Sequence, residues 1–211
     1  MNHTTVLLAD DHVMLMDGLL PLVRKEFDVV GIARDGRALL EMARELRPDV
    51  IATDISMPHL NGIDAVRILT KEAHPAKFVF LTMHSDLPLV AEAFRAGAAG
   101  YVLKMCGADE FVKAIQCVAK GRTYITPLIA GDLVSLLVTG KAGNIHNEAL
   151  LSVRQREVLQ LLAEGKTMKE VATQLGISTR TAESHKYEIM RQLGIQTTAG
   201  LIRYAVQIKL V

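Results

Sequence analysis

Cysteine is scarce in this 211-residue sequence, and the two present, Cys106 and Cys117, have no paired C-x-x-C spacing. That excludes a disulfide framework and a paired-cysteine zinc site, and it fits a reducing cytosol. A leader of basic, apolar and small residues is also missing, because the first apolar run, Val6-Leu7-Leu8-Ala9, stops at Asp10-Asp11. The Leu-rich stretch from 128 to 138 contains Asp132 and is too short to cross a bilayer. The expectation is a soluble, cytoplasmic protein with no membrane partner. No glycine-rich loop follows the first apolar run; Asp-Asp fills that turn and would repel a pyrophosphate, which argues against a nucleotide-binding α/β domain. Gly165-Lys166-Thr167 imitates the end of a P-loop, but Gln160 stands where that motif needs its first glycine. The histidines are scattered without metal-ligand spacing.

Charge of one sign is lacking overall, since the formal net charge is only +1. Its distribution is uneven. Residues 1–122 hold 14 basic and 16 acidic side chains, net −2; residues 123–149 are net −1; residues 150–211 hold 9 basic and 5 acidic, net +4. The basic excess therefore lies in the last 62 residues, where it is compatible with a phosphate backbone as partner.

What the sequence does have is a set of short apolar runs ending in polar groups. Val50-Ile51-Ala52-Thr53 ends at Asp54, just before Ser56-Met57-Pro58, and reads as a buried strand delivering a carboxylate to a loop. Val6–Ala9 ends at Asp10 and Asp11, Phe78–Leu81 at Thr82, and Tyr101–Leu103 at Lys104. Helical spacing fills the intervals: Leu15, Leu19, Leu22 and Val23; Leu39, Leu40, Ala43 and Leu46, stopping before Pro48; Ile63, Val66, Ile68 and Leu69. A fourth helix starts near Asp86-Leu87-Pro88, Ala98-Ala99-Gly100 turns into the last strand, and Phe111, Val112, Ile115, Val118 and Ala119 stripe a fifth helix. Together with Val29-Val30-Gly31-Ile32 this makes five βα units, the pattern of a doubly wound parallel sheet.

In such a sheet the strand carboxyl ends share one edge, so the four polar ends should meet. Crowded carboxylates repel unless a cation neutralises them, and magnesium with phosphate oxygens suits that set. A carboxylate held there can become an aspartyl-phosphate. Asp10-Asp11, Asp54, Thr82, Tyr101 and Lys104 together resemble the receiver domain of a bacterial two-component response regulator, over about the first 120 residues. The resemblance implies strand order 2-1-3-4-5, Asp54 as phospho-acceptor, and Mg²⁺ held by Asp10, Asp11, Asp54 and the backbone carbonyl of Ser56. It further implies Lys104 as phosphate contact, with Thr82 and Tyr101 as the switch pair.

From 123 to 149 the alternation fades into glycine-bearing linker, partly helical around Ile129–Leu137. From residue 150 the pattern becomes short capped helices. Ser152 with Gln155, and Thr167 with Glu170, have capping-box spacing. Val158, Leu161 and Leu162 mark one helix, Val171, Ala172 and Leu175 the next, and Gly176-Ile177-Ser178 a tight turn. A third helix over Thr179–Leu193 completes a helix-turn-helix candidate. On it Ala182, His185, Ile189 and Leu193 repeat inward; Arg180, Glu183, Ser184, Tyr187 and Arg191 face out.

Leu151–Leu159, Glu164-Gly165-Lys166, Gly176-Ile177-Ser178 and Thr181–His185 are similar to the DNA-binding output domain of NarL/LuxR-class (FixJ-type) regulators. The resemblance implies a small all-α four-helix domain over 150–211. Its third helix would enter the major groove, with Lys166, Lys169, Thr179, Arg180, Thr181, Glu183, Ser184, Lys186, Tyr187 and Arg191 as DNA contacts. Its last helix, about Thr198–Val206, would pair two subunits through Thr198, Leu201, Ile202 and Ala205. Glu183 stands where many relatives have lysine; a glutamate facing DNA can accept a hydrogen bond from cytosine and repels phosphate, and pairing of Glu183 with Lys186 or Arg180 is an equal alternative. The implied protein is a transcription regulator, not an enzyme, that dimerises on phosphorylation. Its partners would be a sensor histidine kinase, promoter DNA and RNA polymerase.

Overall fold

A computed structural model describes the backbone of residues 4–138 and 151–211. Most of the expected linker beyond 138, and the expected domain start at 150, lie outside the described residues. The chain divides into two compact units, one built on a sheet and one on the last helices.

In the first unit, β1 (Thr5–Ala9), β2 (Asp28–Ala33), β3 (Val50–Thr53), β4 (Lys77–Thr82), β5 (Ala98–Leu103) and β6 (Tyr124–Ile125) form one parallel sheet in the order 2-1-3-4-5-6. The helices are α1 (Val13–Glu26), α2 (Gly36–Leu46), α3 (Gly62–Lys71), α4 (Leu87–Ala96), α5 (Ala108–Ala119) and α6 (Pro127–Val138). Alternation along the strands sorts side chains to two faces. Val6, Leu8, Val50, Ala52, Val79, Leu81 and Val102 pack with Met16, Leu19 and Val23 of α1 and Phe111, Ala114, Ile115 and Val118 of α5. Leu7, Ile51, Phe80 and Tyr101, at the alternate positions, are fully buried on the opposite face. Burying each large aliphatic side chain contributes about 1.5–3 kcal/mol, so both stripes are fixed against a one-residue slip.

Local chemistry sets the ends. Asp35 caps α2 by accepting from the backbone N–H groups of Arg37 and Ala38, and Arg47 ends it in the left-handed region at φ 43° before Pro48 closes off further helix. Asn61 caps α3 through Asp64 N at 2.9 Å.

Two expectations are corrected. Ala98, Ala99 and Gly100 belong to β5 and not to a turn, and at Gly100 a Cβ would meet Val79 and Val118 at 3.1 Å. The region after 122 opens with a sixth strand, since Tyr124-Ile125 pairs with Gly100-Tyr101. A two-residue strand carries no alternation to read.

The second unit holds α7 (Val153–Ala163), α8 (Met168–Leu175), α9 (Thr179–Leu193) and α10 (Thr198–Gln207). Ser152 and Thr167 each form a reciprocal capping box, with Gln155 and Glu170. Gly176 at φ 64° ends α8 in a conformation that favours glycine, and Ser178 starts α9 by accepting from Thr181 N at 3.1 Å. Val158, Leu161, Val171, Ala172, Ala182, Ile189, Leu201 and Ala205 share one core.

Candidate functional site

β1, β3, β4 and β5 lie side by side and parallel, with Ala9 beside Thr53, Thr53 beside Phe80 and Thr82 beside Leu103. Their polar ends therefore sit at one edge. Lys104 Nζ donates to Asp54 Oδ2 at 2.6 Å and lies 2.8 Å from Asp10 Oδ2, within ion-pair reach. The Lys104 side chain is only 5% exposed, so this ammonium is an internal counter-ion. Ile55 N donates to the other oxygen, Asp54 Oδ1, at 2.6 Å, and Asp54 N donates to Ala9 O, which ties the acid to β1. Burial pushes the Asp54 carboxyl above its usual range, and Lys104 opposes that shift without cancelling it. Burial alone would lower the ammonium, but the carboxylates of Asp10 and Asp54 beside it outweigh that and leave it raised.

Asp10, Asp11, His12 and Asp54 each offer one ligand atom, all within 4.8 Å of one another. Asp10 is 1% exposed, and its Oδ2 makes no hydrogen bond although Lys104 is near. Three carboxylates against one ammonium leave two negative charges, which a divalent cation would neutralise. His12 was not legible as a neighbour of this cluster, because the histidines show no ligand spacing in the sequence.

Around this centre sits a ring of bonds linking two loops. Thr82 is fully buried, and its Oγ1 accepts from His84 N at 3.3 Å. Tyr101, also buried, donates its hydroxyl to His84 O at 2.9 Å. Burial first, then the charges of Asp86 and Asp54, push that phenol far above its ordinary value. The Ser56 hydroxyl meets His84 Nε2 at 3.0 Å, joining the loop after β3 to the loop after β4.

Sequence reasoning missed two supports of this pocket. A Cβ on Gly62 would stand 1.9 Å from Asp54 O, so only glycine lets α3 start there. Thr126 is fully buried; its Oγ1 accepts from Leu103 N at 3.1 Å and its N donates to Tyr101 O at 3.0 Å, clamping the end of β5. A lone threonine after an unrecognised strand gave no signal.

Residues 6–116 match the family described as response regulator receiver domain, and residues 149–205 match bacterial regulatory proteins of the luxR family. The chain is a two-component response regulator. More narrowly, this regulator belongs to the NarL/LuxR group, with a LuxR-type DNA-binding domain behind the receiver. It is 39% identical to the transcriptional regulatory protein MctR of Rhizobium johnstonii, over 95% of this chain and 92% of that one. It is 33% identical to the oxygen regulatory protein NreC of Staphylococcus carnosus, over 97% and 98%. Its fold resembles RcsB of Salmonella enterica serovar Typhimurium, bound to promoter P1flhDC in the presence of phosphomimetic BeF3-, with TM-score 0.61 and 27% identity over 96% and 98% of the chains. Among the described residues of the regulator, no helix is long and apolar enough to cross a membrane.

In the regulator's helix-turn-helix, Thr179, Arg180, Thr181, Glu183, Ser184, Tyr187 and Arg191 are exposed along α9, and Lys169 is exposed on α8. Lys166 and Lys186 are half-buried, the latter with its ammonium 4.8 Å from the centre of the Tyr187 ring. His185 packs inward only in part, 25% exposed, with Nδ1 3.7 Å from Glu188. One expectation about α10 is corrected. Leu201 and Ala205 are fully buried in the core of their own domain and cannot meet a second subunit. Thr198, half-buried Ile202 and Val206, the last 56% exposed, follow one another along an open side of α10, beside exposed Ala199, Arg203 and Gln207.

Proposed function

We propose that this response regulator is switched by Mg²⁺-dependent phosphorylation of Asp54, which alters dimerisation and promoter binding. The observation that carries the reading is Lys104, buried and bonded to Asp54 while paired with Asp10. Mg²⁺ would be held by Asp10, Asp11, Asp54 and the Ser56 carbonyl, supplying positive charge to the phosphoryl oxygens. An Asp54 carboxylate oxygen attacks phosphorus; the bond from phosphorus to the donor breaks, and the donor, an imidazole nitrogen of a sensor histidine kinase, leaves with the electron pair. Ile55 N–H steadies the carboxylate, and Lys104 transfers its bond from the carboxylate to a phosphoryl oxygen.

The new group carries about two negative charges and strong acceptor oxygens. Thr82 Oγ1 turns towards it and gives up the His84 N–H, which disturbs the carbonyl that holds Tyr101. The receiver thereby moves between two states, and paired output domains place two α9 helices in successive major grooves, about one helical turn apart. Thr198, Ile202 and Val206 of α10 form the output-domain contact, and RNA polymerase is the downstream partner. The RcsB relative, bound to a promoter with a phosphomimetic present, supports this sequence of events.

Intact-protein mass after treatment with Mg²⁺ and a small phosphodonor tests the reading, alongside sedimentation and promoter binding. One phosphoryl adduct, lost in Asp54→Asn, with dimerisation following it, is the expected result. No adduct with a donor that labels a control receiver would make the protein a phosphorylation-independent regulator.

A further inference from the structure

The open arc of α9 carries one acid among its basic side chains. At about 100° per residue, Arg180, Glu183, Ser184, Tyr187 and Arg191 share an arc of about 100°, across the helix from buried Ala182 and Ile189. All five are exposed.

Two cations are close enough along the helix to neutralise Glu183, and neither does. Arg180 and Lys186 each stand three positions away, a spacing at which helical ion pairs form. Lys186 instead places its ammonium 4.8 Å from the centre of the Tyr187 ring, and the Glu183 carboxylate makes no hydrogen bond or ion pair with the described residues. The other acid of α9 differs. Glu188 meets Gln155 Nε2 at 3.5 Å and His185 Nδ1 at 3.7 Å, so it is engaged within its own domain.

An unpaired carboxylate on this arc repels phosphate, so it suits a base edge and not the backbone. The amino donors in the major groove are N4 of cytosine and N6 of adenine. Adenine sets its N7 acceptor beside N6, which repels a carboxylate; cytosine has only a C–H beside N4.

We infer that Glu183 is a specificity-determining residue that accepts a hydrogen bond from the N4 amino group of one cytosine in each half-site. The inference rests on α9 lying in the major groove. Arg180 and Arg191, on the same arc, are left to supply the attraction to phosphate that the carboxylate does not.

Selection of bound duplexes from a random-sequence pool tests it, using the full chain with Mg²⁺ and a small phosphodonor, for wild type, Glu183→Ala and Glu183→Gln. Wild type should enrich cytosine at one position of each half-site, and replacing that C·G pair should weaken binding by about five- to 150-fold in fluorescence anisotropy. N4-methylcytosine there keeps the base pair but removes the major-groove donor, and should weaken binding about fivefold or more. Glu183→Ala should lose the preference at that position alone. Glu183→Gln should move it to adenine, because an amide offers both the acceptor for N6 and the donor for N7. Circular dichroism matching wild type checks that each variant folds. A motif that wild type and a folded Glu183 variant share at every position, or enrichment of a base other than cytosine where Glu183→Ala differs, would overturn the inference and leave promoter binding standing. No enrichment by wild type, with or without the phosphodonor, would overturn both.

Discussion

Replacing Lys104 by methionine keeps the length of the side chain and removes its charge, which isolates the role of the internal counter-ion. Asp54 and Asp10, 3% and 1% exposed, would then face each other without compensation. Removing one partner of a buried ion pair costs about 3–5 kcal/mol. With a urea m-value of about 2 kcal/mol/M, the unfolding midpoint of the receiver should fall by about 1.5–2.5 M. The sign with pH follows from Asp54, whose carboxyl burial already raises above 3.8 and which loses its main opposing influence in the variant. A group with a raised folded pKa contributes stability that is present below 3.8 and lost as pH rises through the folded value. The gap between wild type and Lys104→Met should therefore narrow as pH falls from 7 towards 4. Mg²⁺ at about 100 times its Kd should restore about 2.7 kcal/mol at neutral pH, because a bound cation replaces the lost one. Urea unfolding followed by far-ultraviolet circular dichroism, on the transition that moves with Mg²⁺, reads all three effects. A variant midpoint within about 0.5 M of wild type at pH 7, or a gap that stays constant with pH, would refute the counter-ion argument.

Gly62→Ala should cost at least about 1–3 kcal/mol and abolish the phosphoryl adduct, because the new methyl meets backbone that cannot step aside; thermal unfolding and intact mass check it. Tyr101→Phe removes the bond to His84 O and should cost about 1 kcal/mol, while leaving the Asp54 adduct intact and shrinking the gain in promoter affinity on phosphorylation. Arg180→Ala, on the exposed face of α9, should weaken promoter binding and lower the slope of log affinity against log salt by about one, measured by fluorescence anisotropy.

The sheet and its pocket were legible because each strand is an uninterrupted apolar run that stops at a polar residue, and parallel strands bring such stops together. Lys104 and Asp54 are 50 positions apart in the chain, yet β5 and β3 deliver both to one edge. What stayed hidden depended on local geometry without a composition signature. His12 reaches the acids through a backbone fold-back, Gly62 through a close approach to Asp54 O, and Thr126 by following a two-residue strand. The assignment of Leu201 and Ala205 to a dimer surface failed for a related reason. α10 presents small and apolar residues on more than one side, and periodicity alone does not say which side its own domain encloses.

The grip of Thr126 on Leu103 and Tyr101 bears on how this molecule can be cut and rejoined. The segment that leaves the receiver is bolted to β5, the strand that carries Tyr101 and leads into Lys104. A chimera spliced at residue 122 would strand the Leu103 N–H and the Tyr101 carbonyl, at about 1–3 kcal/mol for each buried orphan. It would also cut the hydrogen-bonded link between β5 and the start of α6. A working exchange of output modules needs its seam beyond α6, with the sixth strand travelling as part of the receiver.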